Sequence, residues 1–199
     1  MSELIEEKKP LRLAFTGEAG HGKSTSTDYI LSKIPGIELT FAGPLKKMIS
    51  HVFMFNEDEE KHLYNPLLKT VVLPAYGTSC RILAQKIGTE VMREDLLRHI
   101  PNLKLLGPTV WIHNMAKRLI INNDKNIVVS DDRFPDEYEF LKSKKFTIVK
   151  ILDPRKLSVD QVKHASEQGS PYDMLILNDG TLEQLYEKLS DLLILKRIL

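Results

Sequence analysis

The 199-residue chain carries 28 basic and 27 acidic side chains, for a net charge of +1. That balance excludes the electrostatic footprint of a dedicated nucleic-acid binder, and the length favours one α/β unit with a sizeable core over two domains. The single cysteine, Cys80, excludes an intramolecular disulfide and points to a reducing compartment, where it reads as a small packing residue.

Residues 1–10 mix charges without an apolar core, so neither a signal peptide nor a membrane anchor is expected and the protein reads as cytosolic, in the host cytoplasm if its source is viral. Residues 11–15 form an apolar, strand-like run. Directly after it, residues 17–24 read Gly-Glu-Ala-Gly-His-Gly-Lys-Ser, matching G-x-x-x-x-G-K-[ST] in full, and a helix-compatible stretch follows. Closely spaced glycines let backbone N–H groups turn inward around phosphate oxygens, and the helix behind them directs its positive end at the same place. Lys23 then reaches the β and γ phosphates and the Ser24 hydroxyl holds Mg²⁺. His21 lies within this loop, but its position alone is no evidence of catalysis.

A second strand is expected over 37–41. Ala42-Gly43-Pro44-Leu45-Lys46 then turns the chain into a helix starting near Leu45, whose amides and Lys46 can receive an anion. Residues 56–61 are acid-rich and 66–78 have no clear period, so this stretch reads as an irregular or partly helical insertion. Residues 79–97 suit a helix with Ile82, Leu83, Ile87, Val91 and Leu97 on its apolar face. Arg81 and Gln85 stand one turn apart on it, a pair able to bind a phosphate and a base edge. Gly88 either ends this helix or admits close approach of a ligand. Trp111 heads an apolar segment through Ile112, Met115, Leu119 and Ile120, and reads either as core or as a platform for a nucleobase.

The run 127–130 has the form of a buried strand ending in acid, where a P-loop protein places the carboxylate that orients Mg²⁺. Asp131 is the first candidate and Asp132 the second. Arg133 follows at once, Pro135 opens the next helix, and Asp136 and Glu137 suit its first turn. A strand over 146–152 leads into Asp153-Pro154-Arg155-Lys156, a candidate lid with Arg155 as its cationic finger, or else a solvent-exposed linker. After a last strand over 174–177 come Asn178-Asp179-Gly180, a capping box from Thr181 to Gln184, and a helix with Leu182, Leu185, Leu189 and Leu192 on one face. Strands alternating with helices in this way predict an α/β fold, a five-stranded parallel sheet covered by helices on both faces. The six histidines have no zinc-site spacing.

Several of these motifs occur together. The phosphate loop, Ala42 to Lys46, the Arg81-x-x-x-Gln85-x-x-Gly88-Thr89-Glu90 stretch with Trp111 downstream, and Asp131-Asp132-Arg133 with Glu137 are four. The fifth is His164-Ala165-Ser166-Glu167-Gln168-Gly169 followed by Asn178-Asp179-Gly180-Thr181-Leu182-Glu183. In this combination the chain resembles the phage-type deoxynucleoside monophosphate kinases of the P-loop nucleoside monophosphate kinase superfamily. The resemblance implies a three-layer P-loop kinase fold over 1–199 as a single domain, with an irregular or helical acceptor-side insertion at about 53–110. It implies transfer of the γ-phosphoryl group of ATP to a (deoxy)nucleoside monophosphate, with ATP and Mg²⁺ as cofactors, small nucleotides as partners, and no nucleic acid or membrane. A homodimer stays open.

Carried over by position, Gly22, Lys23, Ser24 and Thr25 line the donor, and Lys46, Arg81, Gly88, Thr89, Trp111, Arg133 and Glu137 line the acceptor. The reading of the residues themselves adds Gly20 and Arg155 on the donor side, Leu45, Gln85 and Asp132 on the acceptor side, and Ser24 and Asp131 as metal ligands, with Lys23, Arg81, Arg133 and Asp131 as the catalytic set. The chain departs from the family where Glu18, Ala19 and Gly20 replace basic residues inside the phosphate loop, which puts one contact to the transferring phosphate in question. The central insertion also looks shorter than in those relatives.

Three rival readings are a P-loop kinase for another small phosphorylated acceptor, of the phosphomevalonate-kinase kind, a GTP switch and a nucleic-acid motor. Asn122-Asn123-Asp124-Lys125 has the wrong order for guanine recognition, and the near-neutral charge opposes the motor.

Overall fold

A computed structural model describes residues 9–156 and 171–196. Most of the amino-terminal stretch read as cytosolic, and the expected motif from His164 to Gly169, lie outside the described residues. In chain order the elements are β1 (Arg12–Thr16), α1 (Lys23–Lys33), β2 (Ile37–Leu39), α2 (Ala42–Val52), α3 (Glu57–Tyr64), β3 (Val72–Leu73), β4 (Thr78–Ser79) and α4 (Cys80–Gln85). There follow a π-helical stretch (Lys86–Asp95), α5 (Leu96–His99), α6 (Val110–Ile121), β5 (Ile127–Asp132), α7 (Pro135–Ser143), β6 (Thr147–Leu152), a 3₁₀ turn (Pro154–Lys156), β7 (Met174–Leu177) and α8 (Leu182–Leu195). The chain divides into two units, Met1–Leu39 with Leu119–Leu199, and Thr40–Arg118.

The first unit is built on a five-stranded sheet in the order β2-β5-β1-β6-β7, with every pairing parallel. Leu13, Ala14 and Phe15 of β1, Ile127, Val128 and Val129 of β5, and Ile148, Val149 and Ile151 of β6 are fully buried. Unbroken apolar runs of this kind belong to parallel strands covered on both faces. The path from β1 to β2 steps across β5 in one direction, while the path from β5 to β6 steps across β1 in the other. Since such crossovers are right-handed, α1 and α7 fall on opposite faces of the sheet. On the α1 face, Leu13, Phe15, Val128, Val149 and Ile151 pack with Ile30 of α1 and with Leu185, Leu189, Leu192 and Leu193 of α8. The strand order reverses at β1 and β5, and the carboxyl ends of strands at such a point are where sheets of this type bind ligands.

All five expected strands are present, with two adjustments. The second ends at Leu39 because Phe41 already has helical backbone ahead of α2. The strand expected to stop at Ser130 continues to Asp132, and its register against β1 slips: Ala14 pairs with Val129, but Thr16 pairs with Asp132. One extra residue in β5 makes a bulge, which re-aims the side chains that follow. In α8 the expected capping box is present, Thr181 Oγ1 accepting from Gln184 N at 3.3 Å and Gln184 Oε1 from Thr181 N at 2.9 Å. Leu182, however, is exposed and Leu193 is buried in its stead, because the first residue of a helix lies ahead of the turns that face the sheet.

In the Thr40–Arg118 unit, α2 begins at Ala42, three residues earlier than expected, with Gly43 and Pro44 inside its first turn. Proline is tolerated there because the first amides of a helix have no intrahelical partner. The acid-rich patch is α3. Asn56 Oδ1 accepts from the amides of Asp58 and Glu59, both at 3.0 Å, and Glu59 Oε2 accepts from Asn56 N at 2.9 Å. Its four first-turn acids, Glu57 to Glu60, complement the helix dipole. The stretch without a period closes as the antiparallel pair β3–β4, and Tyr76 at its turn packs on Phe53 and Phe55 and donates to Phe53 O at 3.0 Å.

The single helix expected over 79–97 is three pieces, α4, the π-helical stretch and α5. Ile82 and Val91 of the expected apolar face are exposed, whereas Cys80, Gly88 and Thr89 are buried. A π-helix spaces its hydrogen bonds five residues apart, so the buried face departs from the 3.6 period that the sequence suggested. Cys80 is a packing residue, and burial pushes its thiol pKa up.

Candidate active site

The phosphate loop leaves β1 at Gly17, whose φ of +129° brings its backbone so close to β6 that a Cβ would stand 2.5 Å from Ile151 O. At the far end, Gly22 caps α1 with φ +106°, a left-handed conformation that a side chain would strain, and a Cβ would meet Asn178 Nδ2 at 2.7 Å. No side chain caps α1 and no acid lies in its first turn. No first-turn acid therefore offsets the positive end of its dipole, which suits an anion. Lys23 opens the helix and folds back, its ammonium donating to Gly17 O at 2.6 Å and Glu18 O at 2.8 Å. Ser24 is exposed and Thr25 half-buried in the same turn.

A buried network fixes the loop to the neighbouring strands. His21 is 1% exposed, its Nδ1 accepts from Asp153 N at 3.1 Å, and Asn178 Nδ2 donates to His21 O at 3.1 Å. An imidazole nitrogen that accepts from an amide must be unprotonated, and desolvation pulls the His21 pKa below its usual value, with Lys23 and Lys156 pulling the same way and Glu18 and Asp153 opposing. Asp153, 1% exposed, takes two hydrogen bonds from the Arg155 guanidinium, Nε to Oδ1 at 2.8 Å and Nη2 to Oδ2 at 3.0 Å. Chiefly through these bonds its pKa is held down at about 2. Arg155 also donates to Asn178 O at 3.0 Å. The segment expected as a lid or linker thus begins as a 3₁₀ turn anchored beside the loop, with its expected finger engaged by Asp153; residues 157–170 are outside the described set.

On the other side of β1, Asp132 is fully buried opposite Thr16, whose hydroxyl donates to Asp132 O at 3.0 Å. Asp132 therefore stands beside the residue from which the loop departs, and Asp131 is half-buried on the bulge. One position earlier, the Ser130 hydroxyl is hydrogen-bonded to Glu38 of β2. Arg133 leaves the strand half-buried. Glu137 is buried, and its Oε2 accepts from Arg133 N at 3.0 Å and Phe134 N at 3.3 Å, so its carboxylate locks the first turn of α7 and fixes the point from which Arg133 projects.

The remaining expected residues lie in Thr40–Arg118. Leu45 is buried and the Lys46 ammonium stands 4.8 Å over the Tyr64 ring. Arg81 is half-buried in α4, its backbone N–H donating to Lys69 O at 2.8 Å, with Gln85 half-buried at the end of the same helix. Gly88 and Thr89 are buried in the π-helical stretch. The close approach expected at Gly88 is made by protein: a Cβ there would stand 2.5 Å from Leu45 Cδ2. Trp111 is 7% exposed and its indole N–H donates to Gly88 O at 2.8 Å, tying α6 to a carbonyl of the π-helical stretch. Sequence reasoning missed this tie and the His21–Asp153–Asn178 network, neither of which has a local motif.

The model of the family described as deoxynucleotide monophosphate kinase matches residues 64–189, more than half of the chain. The chain belongs to this family. A protein of Acanthamoeba polyphaga mimivirus, provisionally named a deoxynucleotide monophosphate kinase, is 28% identical over 183 residues, which cover 89% of this chain and 93% of that protein. The deoxynucleotide monophosphate kinase of Escherichia phage RB69 is 31% identical over 121 residues, 58% of this chain but 45% of its own length. Among solved structures, an APS kinase mutant of Mycobacterium tuberculosis aligns over 94% of this chain and 98% of its own at 12% identity, with a TM-score of 0.43.

Trp111→Phe should cost about 1–3 kcal/mol in denaturant unfolding, because it leaves the buried Gly88 carbonyl without its donor; unchanged stability would deny that bond a structural role. Asp153 gives a pH signature. Its pKa is about 2 when folded against an ordinary 3.8, so its contribution to stability is complete above pH 3.8 and is lost as the pH falls through 2. Asp153→Asn should therefore lower stability at pH 7, and its deficit should shrink steadily as the pH falls from about 4 through 2, as read from unfolding curves across that range.

Proposed function

We propose that the chain transfers the γ-phosphoryl group of ATP to a (deoxy)nucleoside monophosphate, giving the diphosphate. The observation that carries this reading is the loop between β1 and α1, where a left-handed Gly22 presents an uncapped helix N-terminus with Lys23 in its first turn. The family supplies the acceptor class, since both curated relatives bear the kinase name.

Phosphoryl transfer asks little covalent chemistry of a protein, so positioning and charge neutralisation do most of the work. The amides of the first turn of α1 receive the donor phosphates, and the Lys23 ammonium exchanges its two carbonyl partners for phosphate oxygens. Arg133 and Arg81 are assigned to the acceptor phosphate and the charge developing on it. Lys46, Gln85 and Thr89 are assigned to the rest of the acceptor, and Leu45, Gly88 and Trp111 shape the framework that presents it. Among the described residues no cluster of three or more His, Cys, Asp or Glu side chains could hold a metal ion. Mg²⁺ does not need one, because it binds mainly through phosphates and water with one or two hard oxygen ligands. The Ser24 hydroxyl and the Asp131 and Asp132 carboxylates are such ligands. The ion, when bound, neutralises charge on the transferring phosphoryl group.

In this reading the whole chain works as one kinase domain, with residues of about 53–110 serving the acceptor. Its partners are small nucleotides, and a cytoplasmic site of action follows from where those substrates are found. No helix of the described residues is long and apolar enough to cross a membrane.

Lys23→Ala should lower turnover by at least about a hundredfold with the fold intact, since one preorganised donor to transition-state charge is worth that much. ATP consumption measured against deoxy and ribo monophosphates of each base, with phosphomevalonate as the rival acceptor, decides the substrate class. Consumption with phosphomevalonate and with no nucleotide would overturn the reading.

A further inference from the structure

Between Gly17 and His21 the phosphate loop has no cation; Glu18 places an acid there, and Lys23 is the one basic group of residues 17–24 apart from the buried imidazole. A second ammonium nevertheless reaches the loop from another element. Lys156, last residue of the 3₁₀ turn after β6, donates from Nζ to Gly20 O at 2.6 Å. Lys23 holds the carbonyls at positions 17 and 18, so two ammonium groups rest on different carbonyls of the same loop.

Three features suit Lys156 to an anionic ligand. Among the described residues its carboxylate partner is Asp153, 3.7 Å from its Nζ, but that carboxylate already takes the two shorter bonds from Arg155, so residues 153–156 carry one positive charge in excess. The backbone of the turn is fixed, because Arg155 N donates to Asp153 Oδ1 at 3.0 Å and Asp153 N donates to His21. The Lys156 side chain itself remains 53% exposed, free to change partners. Its Gly20 partner is a neutral carbonyl, and a hydrogen bond from an ammonium to a charged oxygen is roughly twice as strong as one between neutral groups.

We propose that Lys156 is a second phosphate-binding cation of the donor site, exchanging the Gly20 carbonyl for an oxygen of the donor polyphosphate. Asp153 and Arg155 are the positioning pair that aims it. This rests on the ATP-dependent kinase reading above.

The test is isothermal titration of the wild type, Lys156→Ala and Lys156→Arg with Mg²⁺ and a non-hydrolysable ATP analogue, together with steady-state kinetics and melting temperatures. Lys156→Ala should weaken the analogue and raise the KM for ATP by about tenfold, which is the loss of one charge-assisted bond. The KM for the monophosphate and the melting temperature should stay put, and Lys156→Arg should restore most of the affinity. Wild-type affinity in Lys156→Ala overturns the proposal. So does a loss of affinity that comes with a lower melting temperature and no rescue by arginine, which would make Lys156 a structural tether of the loop. A wild type that binds the analogue but phosphorylates no monophosphate refutes the kinase reading alone, and the titrations still judge Lys156.

Discussion

The account depends on the left-handed turn at Gly22, which ends the phosphate loop and starts α1 without a capping side chain. An ordinary N-cap side chain would occupy one or two of those amides internally and place its own oxygen where a ligand would sit. Here the cap is a glycine, no acid follows it, and the helix meets the sheet where the strand order reverses. In the proposed function the start of this helix receives an anion. Lys23 and Lys156 both rest on loop carbonyls, an arrangement that stores positive charge at the site without burying it uncompensated.

Such a site is useful only if the loop keeps its shape, and the three strands around it contribute to that. β6 crowds Gly17 through the Ile151 carbonyl and holds His21 through Asp153. The end of β7 supplies Asn178 to the His21 carbonyl. β5 brings Asp132 beside Thr16 by way of its bulge. Asp153 ties several of these groups together: its carboxylate accepts from the Arg155 backbone and guanidinium and so fixes the 3₁₀ turn, while its backbone N–H donates to the buried imidazole.

Much of this was legible in the sequence, and the rest was hidden for identifiable reasons. The five strands, the loop and the Thr181 capping box are written in local patterns, apolar runs, glycine spacing and a polar pair three residues apart. The α3 helix carried the same capping signal in Asn56 and Glu59, but with Leu63 its only buried side chain its apolar period was too weak to stand out. The π-helical stretch was invisible because pattern reading assumes 3.6 residues per turn, and Ile82 and Val91 fit that assumption while facing solvent. Gly88 read either as a helix end or as a point of close approach by a ligand; Leu45 packs against it, and nothing in the sequence says that Leu45 is its neighbour. Arg155 read as a free cation because its partner, Asp153, looked like one more turn residue.

The most direct measurement is the change in backbone amide ¹H–¹⁵N shifts when Mg²⁺ and a non-hydrolysable ATP analogue are added. The largest downfield proton shifts should fall on Gly22, Lys23 and Ser24, the amides of the turn that starts α1. Saturable binding that leaves these three resonances in place would contradict the claim that the turn is the phosphate site.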